Sequence, residues 1–212
     1  MKTPEISSLN TVFIPAKNLS KKLMLVLHGL GDSTEGYTWL PSELARDDIS
    51  FLLLNAPDTY FTGYSWFDIY ENPAPGITRS RELLFRAVKE LEAQGWAADQ
   101  IALFGFSQGC VMSLDLALRY PKKFAAAVGV SGFTFFLEEY PAAFSPVAKE
   151  QKIFVSHGTQ DPLLPLSMSK PKIQALQKLG VNIQWKEYDK VHTIDPYKEL
   201  QDIREFLLES GF

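Results

Sequence analysis

Five short apolar runs punctuate the chain: Leu23 to Leu27, Phe51 to Leu54, Ile101 to Phe104, Ala125 to Val130 and Ile153 to Val155. Runs of this length, apolar throughout rather than alternating, suit strands covered on both faces, as in a parallel sheet. A sixth run, Val181 to Tyr188, alternates in character and reads as a strand nearer an edge. The segments between them have helical spacing. Leu83, Leu84, Ala87, Val88 and Leu91 mark one helix, and Val111, Leu114, Ala117 and Leu118 a second. Ile173, Leu176 and Leu179 share a face of a third, which Gly180 ends, and Leu200, Ile203 and Leu207 mark a fourth. Strands alternating with helices need crossover connections. The expected fold is therefore α/β, a mostly parallel central sheet with helices on both faces. With 212 residues and no repeat, linker or low-complexity tract, residues 1–212 are expected to form one domain.

Composition narrows the function classes. Apolar residues make up 46% and charged residues 22%, as in ordinary globular chains. A net charge of −4 argues against nucleic acid, which needs a basic face; Lys21-Lys22 and Lys122-Lys123 are too short to reverse that. The start, Met1-Lys2-Thr3-Pro4-Glu5, lacks the apolar core of a signal peptide. No apolar stretch approaches the roughly 20 residues of a membrane span. A single cysteine, Cys110, excludes an internal disulfide and a cysteine-rich zinc site. The expectation is a soluble, cytoplasmic protein that needs no metal or organic cofactor.

In parallel sheets of this kind, ligands bind at the carboxyl ends of the strands. There the run Ile101 to Phe104 leads into Gly105-Phe106-Ser107-Gln108-Gly109, and a helical pattern starts at once. A sharp strand-to-helix turn strains the serine backbone and exposes its hydroxyl, and glycines on both sides avoid a collision across the turn. The N–H of Gln108, at the helix start, then points towards a developing oxyanion. The duller reading is a tight turn whose serine merely caps the helix.

A serine hydroxyl needs a base, and the base an orienting acid. The α/β-hydrolase order along a chain is serine, acid, histidine. That order selects His192, in the loop after the last strand, and an acid between the two. Asp161 fits best, because His157 to Asp161 directly follows the strand at Ile153 to Val155. Asp115 falls inside the elbow helix, and Asp189, three residues before His192, stays open as the alternative acid. His28 and His157, both at strand ends, read as hydrogen-bonded structural residues. His28 opens His28-Gly29-Leu30-Gly31-Asp32, where the fold supplies its second oxyanion donor, the N–H of Leu30. Cys110, just inside the helix, reads as a small buried hydrophobe rather than a rival nucleophile. Phe133, Phe135, Phe136, Leu137 and Tyr140 crowd one irregular stretch. They form either a satellite of the core or an apolar wall over an acyl group.

The motifs His28-Gly29-Leu30-Gly31-Asp32, Asn55-Ala56-Pro57, Ser65-Trp66-Phe67-Asp68-Ile69, Gly105 to Gly109, Ser131-Gly132, His157 to Asp161 and His192 occur in one order. In this the chain resembles the phospholipase/carboxylesterase family of α/β-hydrolases, which includes the acyl-protein thioesterases, from about residue 20 to the end. The resemblance implies a triad of Ser107, Asp161 and His192, oxyanion donors at Leu30 and Gln108, and small acyl esters or thioesters as substrates, a lipid or an acylated protein among them. Two departures stand out. Tyr188-Asp189-Lys190-Val191-His192 lacks the glycine that commonly precedes the family's histidine, and Phe61 to Tyr64 differs from the expected pattern. The latter stretch, with Trp66, is expected to line the substrate entrance. Lysophospholipase activity and a non-catalytic ligand receptor on a hydrolase scaffold are the alternatives.

Overall fold

A computed structural model describes residues 3–212. In chain order the strands are β1 (Thr11–Ile14), β2 (Lys22–Leu27), β3 (Ile49–Leu54), β4 (Asp58–Tyr60), β5 (Gly63–Ser65), β6 (Ile101–Phe106), β7 (Ala126–Val130), β8 (Ile153–Gly158) and β9 (Ile183–Tyr188). The helices are α1 (Leu40–Leu44), α2 (Pro73–Ala93), α3 (Gln108–Arg119), α4 (Tyr140–Ala143), α5 (Leu166–Lys178) and α6 (Lys198–Glu209). Seven strands form one sheet in the order β1-β3-β2-β6-β7-β8-β9. Only β1 runs antiparallel to its neighbour. The fold is that of an α/β-hydrolase.

Side-chain alternation along the strands divides the core in two. Leu23, Leu25 and Leu27 of β2 face a layer that includes Leu84 and Val88 of α2, Leu114 of α3 and Ile173 of α5. Met24 and Val26 face Leu40 and Leu44 of α1 and Leu200, Ile203 and Leu207 of α6. Both faces of β2 are thus covered, which is why its sequence is apolar at every central position. The expected edge strand is β9, where Gln184 and Glu187 stay exposed between buried Ile183 and Tyr188.

Several short elements lie outside that expectation, among them β1 and the β4–β5 hairpin. The β1 strand is only four residues long. The β4–β5 hairpin joins two three-residue strands, and its tip residue Phe61 is 92% exposed with φ of 50°. The stretch Phe61 to Tyr64, expected from sequence to line the substrate entrance, is absent from the lining of the cavity above Ser107. It belts the loop after β2 instead: Gly31 N–H donates to the Tyr64 carbonyl at 2.8 Å, and Tyr64 N–H to the Asp32 carbonyl at 2.9 Å. Gly63 makes this approach possible, since a Cβ there would come within 2.2 Å of the Gly31 carbonyl oxygen.

Candidate active site

The turn from β6 into α3 is built by backbone crowding. Ser107 has φ of 54° and ψ of −115°, a conformation that costs a non-glycine residue on the order of 1–3 kcal/mol. A Cβ on Gly105 would meet the Gly109 carbonyl oxygen at 2.1 Å, and one on Gly109 would meet that of Leu27 at 2.0 Å. Any other residue at either position would push the helix off the sheet. The Ser107 N–H donates to the Val130 carbonyl at 2.9 Å, which fixes the turn to the neighbouring strand.

Three loops at the carboxyl ends of β6, β8 and β9 converge on this serine. His192 Nε2 lies 3.0 Å from Ser107 Oγ, and His192 Nδ1 lies 2.7 Å from Asp161 Oδ2. The other carboxylate oxygen, Asp161 Oδ1, accepts the N–H groups of Leu163 at 3.0 Å and Leu164 at 2.9 Å. Burial alone would raise the Asp161 pKa. The Leu164 N–H, the His192 imidazole and the Leu163 N–H outweigh it and hold the carboxyl below the usual aspartate value. Asp189 sits exposed beside the loop, whereas Asp161 faces the ring.

The other histidines are bound into the framework. His28 is buried; its Nδ1 donates to the Gly29 carbonyl at 2.6 Å and its Nε2 accepts the Ala56 N–H at 3.0 Å. His157, also buried, donates from Nε2 to the Leu164 carbonyl at 2.7 Å, bracing the loop wrapped around Asp161. Burial lowers the pKa of both, consistent with neutral imidazoles. Cys110 is fully buried, and burial raises its thiol to about 12, far from a reactive thiolate.

Gln108 does more than open the helix. Its Oε1 accepts the Trp66 N–H at 3.0 Å and its Nε2 donates to the Phe67 carbonyl at 2.7 Å. Trp66 Nε1 in turn donates to the His28 carbonyl at 2.9 Å. Segment 65–67 therefore stitches the glycine-rich loop to the elbow. The backbone N–H groups of Leu30 and Gln108 have no hydrogen bond to a protein acceptor among the described residues, and both residues line the cavity above Ser107.

That cavity measures about 540 Å³, within the range of small-molecule sites. Its walls correct the expected substrate-binding set. Phe133 lines it, but Trp66, Phe136 and Leu137 do not. Trp66 is wholly buried, its indole N–H committed to His28. Phe136 faces away, with the Arg119 and Arg81 guanidinium groups 5.2 and 5.7 Å from its ring centre, and Leu137 packs against the core. The walls that sequence reasoning missed include Ile69, Tyr70, Val111, Leu163 and Met168. These lie on separate segments with no shared periodicity, so no local signal marks them.

Among the described residues no cluster suited to a metal ion occurs, and no helix is long and apolar enough to cross a membrane. The family model described as Phospholipase/Carboxylesterase matches residues 10–210. The chain is 34% identical to acyl-protein thioesterase 1 of Schizosaccharomyces pombe, covering 77% of this chain and 79% of that one. It is also 34% identical to acyl-protein thioesterase 1 of Debaryomyces hansenii, over 89% and 90%. Among solved structures, esterase PE8 superposes with a TM-score of 0.82 at 27% identity, over 95% of this chain and 98% of that one. A hydrogen-bonded serine, histidine and aspartate on this fold, with a family match along nearly the whole length, lead to one assignment: the chain belongs to the phospholipase/carboxylesterase family.

Proposed function

We propose that the chain hydrolyses carboxylic esters or thioesters through an acyl-enzyme on Ser107. The observation that carries this reading is the line Ser107 Oγ, His192, Asp161, with contacts of 3.0 and 2.7 Å, at the base of an apolar cavity. Ser107 Oγ attacks the acyl carbon while His192 Nε2 takes its proton. Charge develops on the carbonyl oxygen, and the N–H groups of Leu30 and Gln108 receive it. Asp161 holds the proton of Nδ1 towards itself, which fixes the tautomer and stabilises the imidazolium. The bond to the leaving oxygen or sulfur breaks, and the alcohol or thiol departs with the proton from Nε2. Water then repeats the sequence, releases the carboxylic acid and restores the serine.

The relatives called acyl-protein thioesterase 1 support including thioesters. The cavity walls support an apolar acyl group, and their composition from short separate segments gives no support to a lysophospholipase channel running along residues 133–140. The test is a turnover panel of p-nitrophenyl esters of rising chain length beside an acyl-thioester, with fluorophosphonate labelling of Ser107. Turnover with a burst of p-nitrophenol is expected. A folded protein that neither turns over nor labels would return the chain to the receptor reading.

A further inference from the structure

The turn that carries His192 encloses two buried charges for which acyl transfer has no use. Glu199, in the first turn of α6, is fully buried, and Lys190 is 8% exposed. Lys190 Nζ lies 2.6 Å from each Glu199 carboxylate oxygen and 2.7 Å from the Thr193 carbonyl oxygen. Glu199 Oε2 also accepts the Asp195 N–H at 2.8 Å. The Lys190 main chain is held independently: its N–H donates to the Tyr188 carbonyl at 2.9 Å, and its carbonyl accepts the Gln160 N–H at 3.1 Å. A Cβ on Gly158 would come within 2.3 Å of that same carbonyl oxygen, so the acid loop and the base turn meet backbone to backbone.

His192 therefore sits between two fixed points. On its N-terminal side, position 190 is tied to the loop that carries Asp161. On its C-terminal side, the Thr193 carbonyl is tied through the Lys190 ammonium to α6. The loop has no glycine to set its path, and these bonds supply what its sequence lacks. Removing an ammonium and a carboxylate from water is costly, and apolar side chains of similar size are often as stable in their place. Stability is thus a poor account of the pair, and geometry a better one.

We propose that the Lys190–Glu199 pair positions the base: by holding the Thr193 carbonyl against α6, it keeps the His192 ring between Asp161 and Ser107. Lys190 and Glu199 are positioning residues, and the inference rests on the triad reading above. Its test begins with the parent protein, which should be labelled by a fluorophosphonate at Ser107 and lose labelling on His192→Ala. Failure there removes the base and this inference with it.

Lys190→Met combined with Glu199→Leu then deletes both charges together, leaving neither buried alone. The rate per titratable Ser107 should fall on the order of tenfold to a hundredfold, as for small misplacements of a reacting group. KM should stay within about twofold, and the downfield proton resonance of His192 Nδ1–H should broaden or vanish. A merely structural pair would alter unfolding temperature and the titratable fraction, but neither kcat per site nor that resonance. A folded double variant with parental kcat, or with the resonance intact, overturns the positioning role alone. If the double variant fails to fold, the isosteric Glu199→Gln carries the same test. It should shift both readouts in the same direction by a smaller factor, and parental values for both would overturn the inference.

Discussion

Two adjacent strands of this sheet end in the same backbone manoeuvre and are put to different uses. Phe106 at the end of β6 lies in register with Val130 at the end of β7, and each is followed by a serine in the left-handed region, Ser107 at φ 54° and Ser131 at φ 51°. Each serine N–H bonds to the next strand, Ser107 to Val130 and Ser131 to Ser156, both at 2.9 Å. After Ser107 the chain enters α3 at once, so the hydroxyl stands at a helix N-terminus facing the cavity. After Ser131 it runs irregularly to α4, and the Ser131 side chain is fully buried near the Thr193 carbonyl. Strain alone therefore does not distinguish Ser107, the proposed nucleophile, from Ser131. The element entered after the turn, and the imidazole within reach of the hydroxyl, set the two serines apart.

The largest expected effect breaks that comparison outright. Ser107→Ala should lower kcat by about 10⁶, the loss typical of removing the nucleophile of a comparable triad, and should abolish fluorophosphonate labelling. Ser131→Ala should label like the parent and keep kcat within about threefold, because its hydroxyl meets only a 3.5 Å carbonyl contact. Labelling at Ser131 or Cys110 would overturn the assignment of the nucleophile.

The next effect tests which acid serves the base. Asp161→Asn should reduce turnover by roughly 10⁴, by favouring the wrong histidine tautomer. Asp189→Asn should cost about tenfold or less, since the exposed Asp189 is no hydrogen-bond partner of His192. Steady-state kinetics of the two variants decide between them, and a reversal of the two losses would make Asp189 the orienting acid.

The two strand ends also differ in how well they can be read. Gly105 and Gly109 flank Ser107 because backbone atoms leave no room for a Cβ, and that demand is written within five residues. The buried strands are legible for the same local reason, since both faces of β2 meet apolar layers. The stretch after Ser131 answers to residues distant in sequence. Asp115, buried in α3, binds Arg119 at 2.9 Å, Arg81 at 3.1 Å and the Tyr140 hydroxyl at 3.0 Å, and this group draws Phe136 over the guanidinium groups. Phe133 and Phe135 are left to face the cavity. No pattern within residues 133–140 says which aromatic turns which way. Trp66 misleads for a similar reason, because its partners His28 and Gln108 lie 38 and 42 residues away.

That division gives a third, smaller effect. A buried methylene contributes about 0.8 kcal/mol, so two added acyl carbons should raise kcat/KM by about tenfold while the pocket lasts. Phe133→Ser with Phe135→Ser should flatten this gain in the p-nitrophenyl ester panel, more for octanoate than for acetate. Phe136→Ala should leave the chain-length profile unchanged while destabilising the fold by about 3 kcal/mol in denaturant titration. If Phe136→Ala flattened the profile instead, the acyl wall would extend beyond the cavity above Ser107.

The smallest effect concerns the loop that carries Asp161, where hydrogen bonds to a charge add to the close backbone contact at Gly158. Two backbone N–H groups and His192 converge on the Asp161 carboxylate and keep its pKa below the ordinary aspartate value against the opposing influence of burial. A carboxyl depressed in the native state binds fewer protons there than in the unfolded chain, so stability rises with pH through that interval. The contribution is complete above the unfolded value of about 4 and disappears as pH falls through the native one. The parent should thus be more stable than Asp161→Asn at neutral pH, and the gap in unfolding temperature should narrow as pH falls below about 4. Ser107→Ala, whose turn is set by backbone contacts, should track the parent across the same range. A gap for Asp161→Asn that stays constant from about pH 7 to 3 would mean that the charge does not organise the loop, leaving His157 and its bond to Leu164 as the brace.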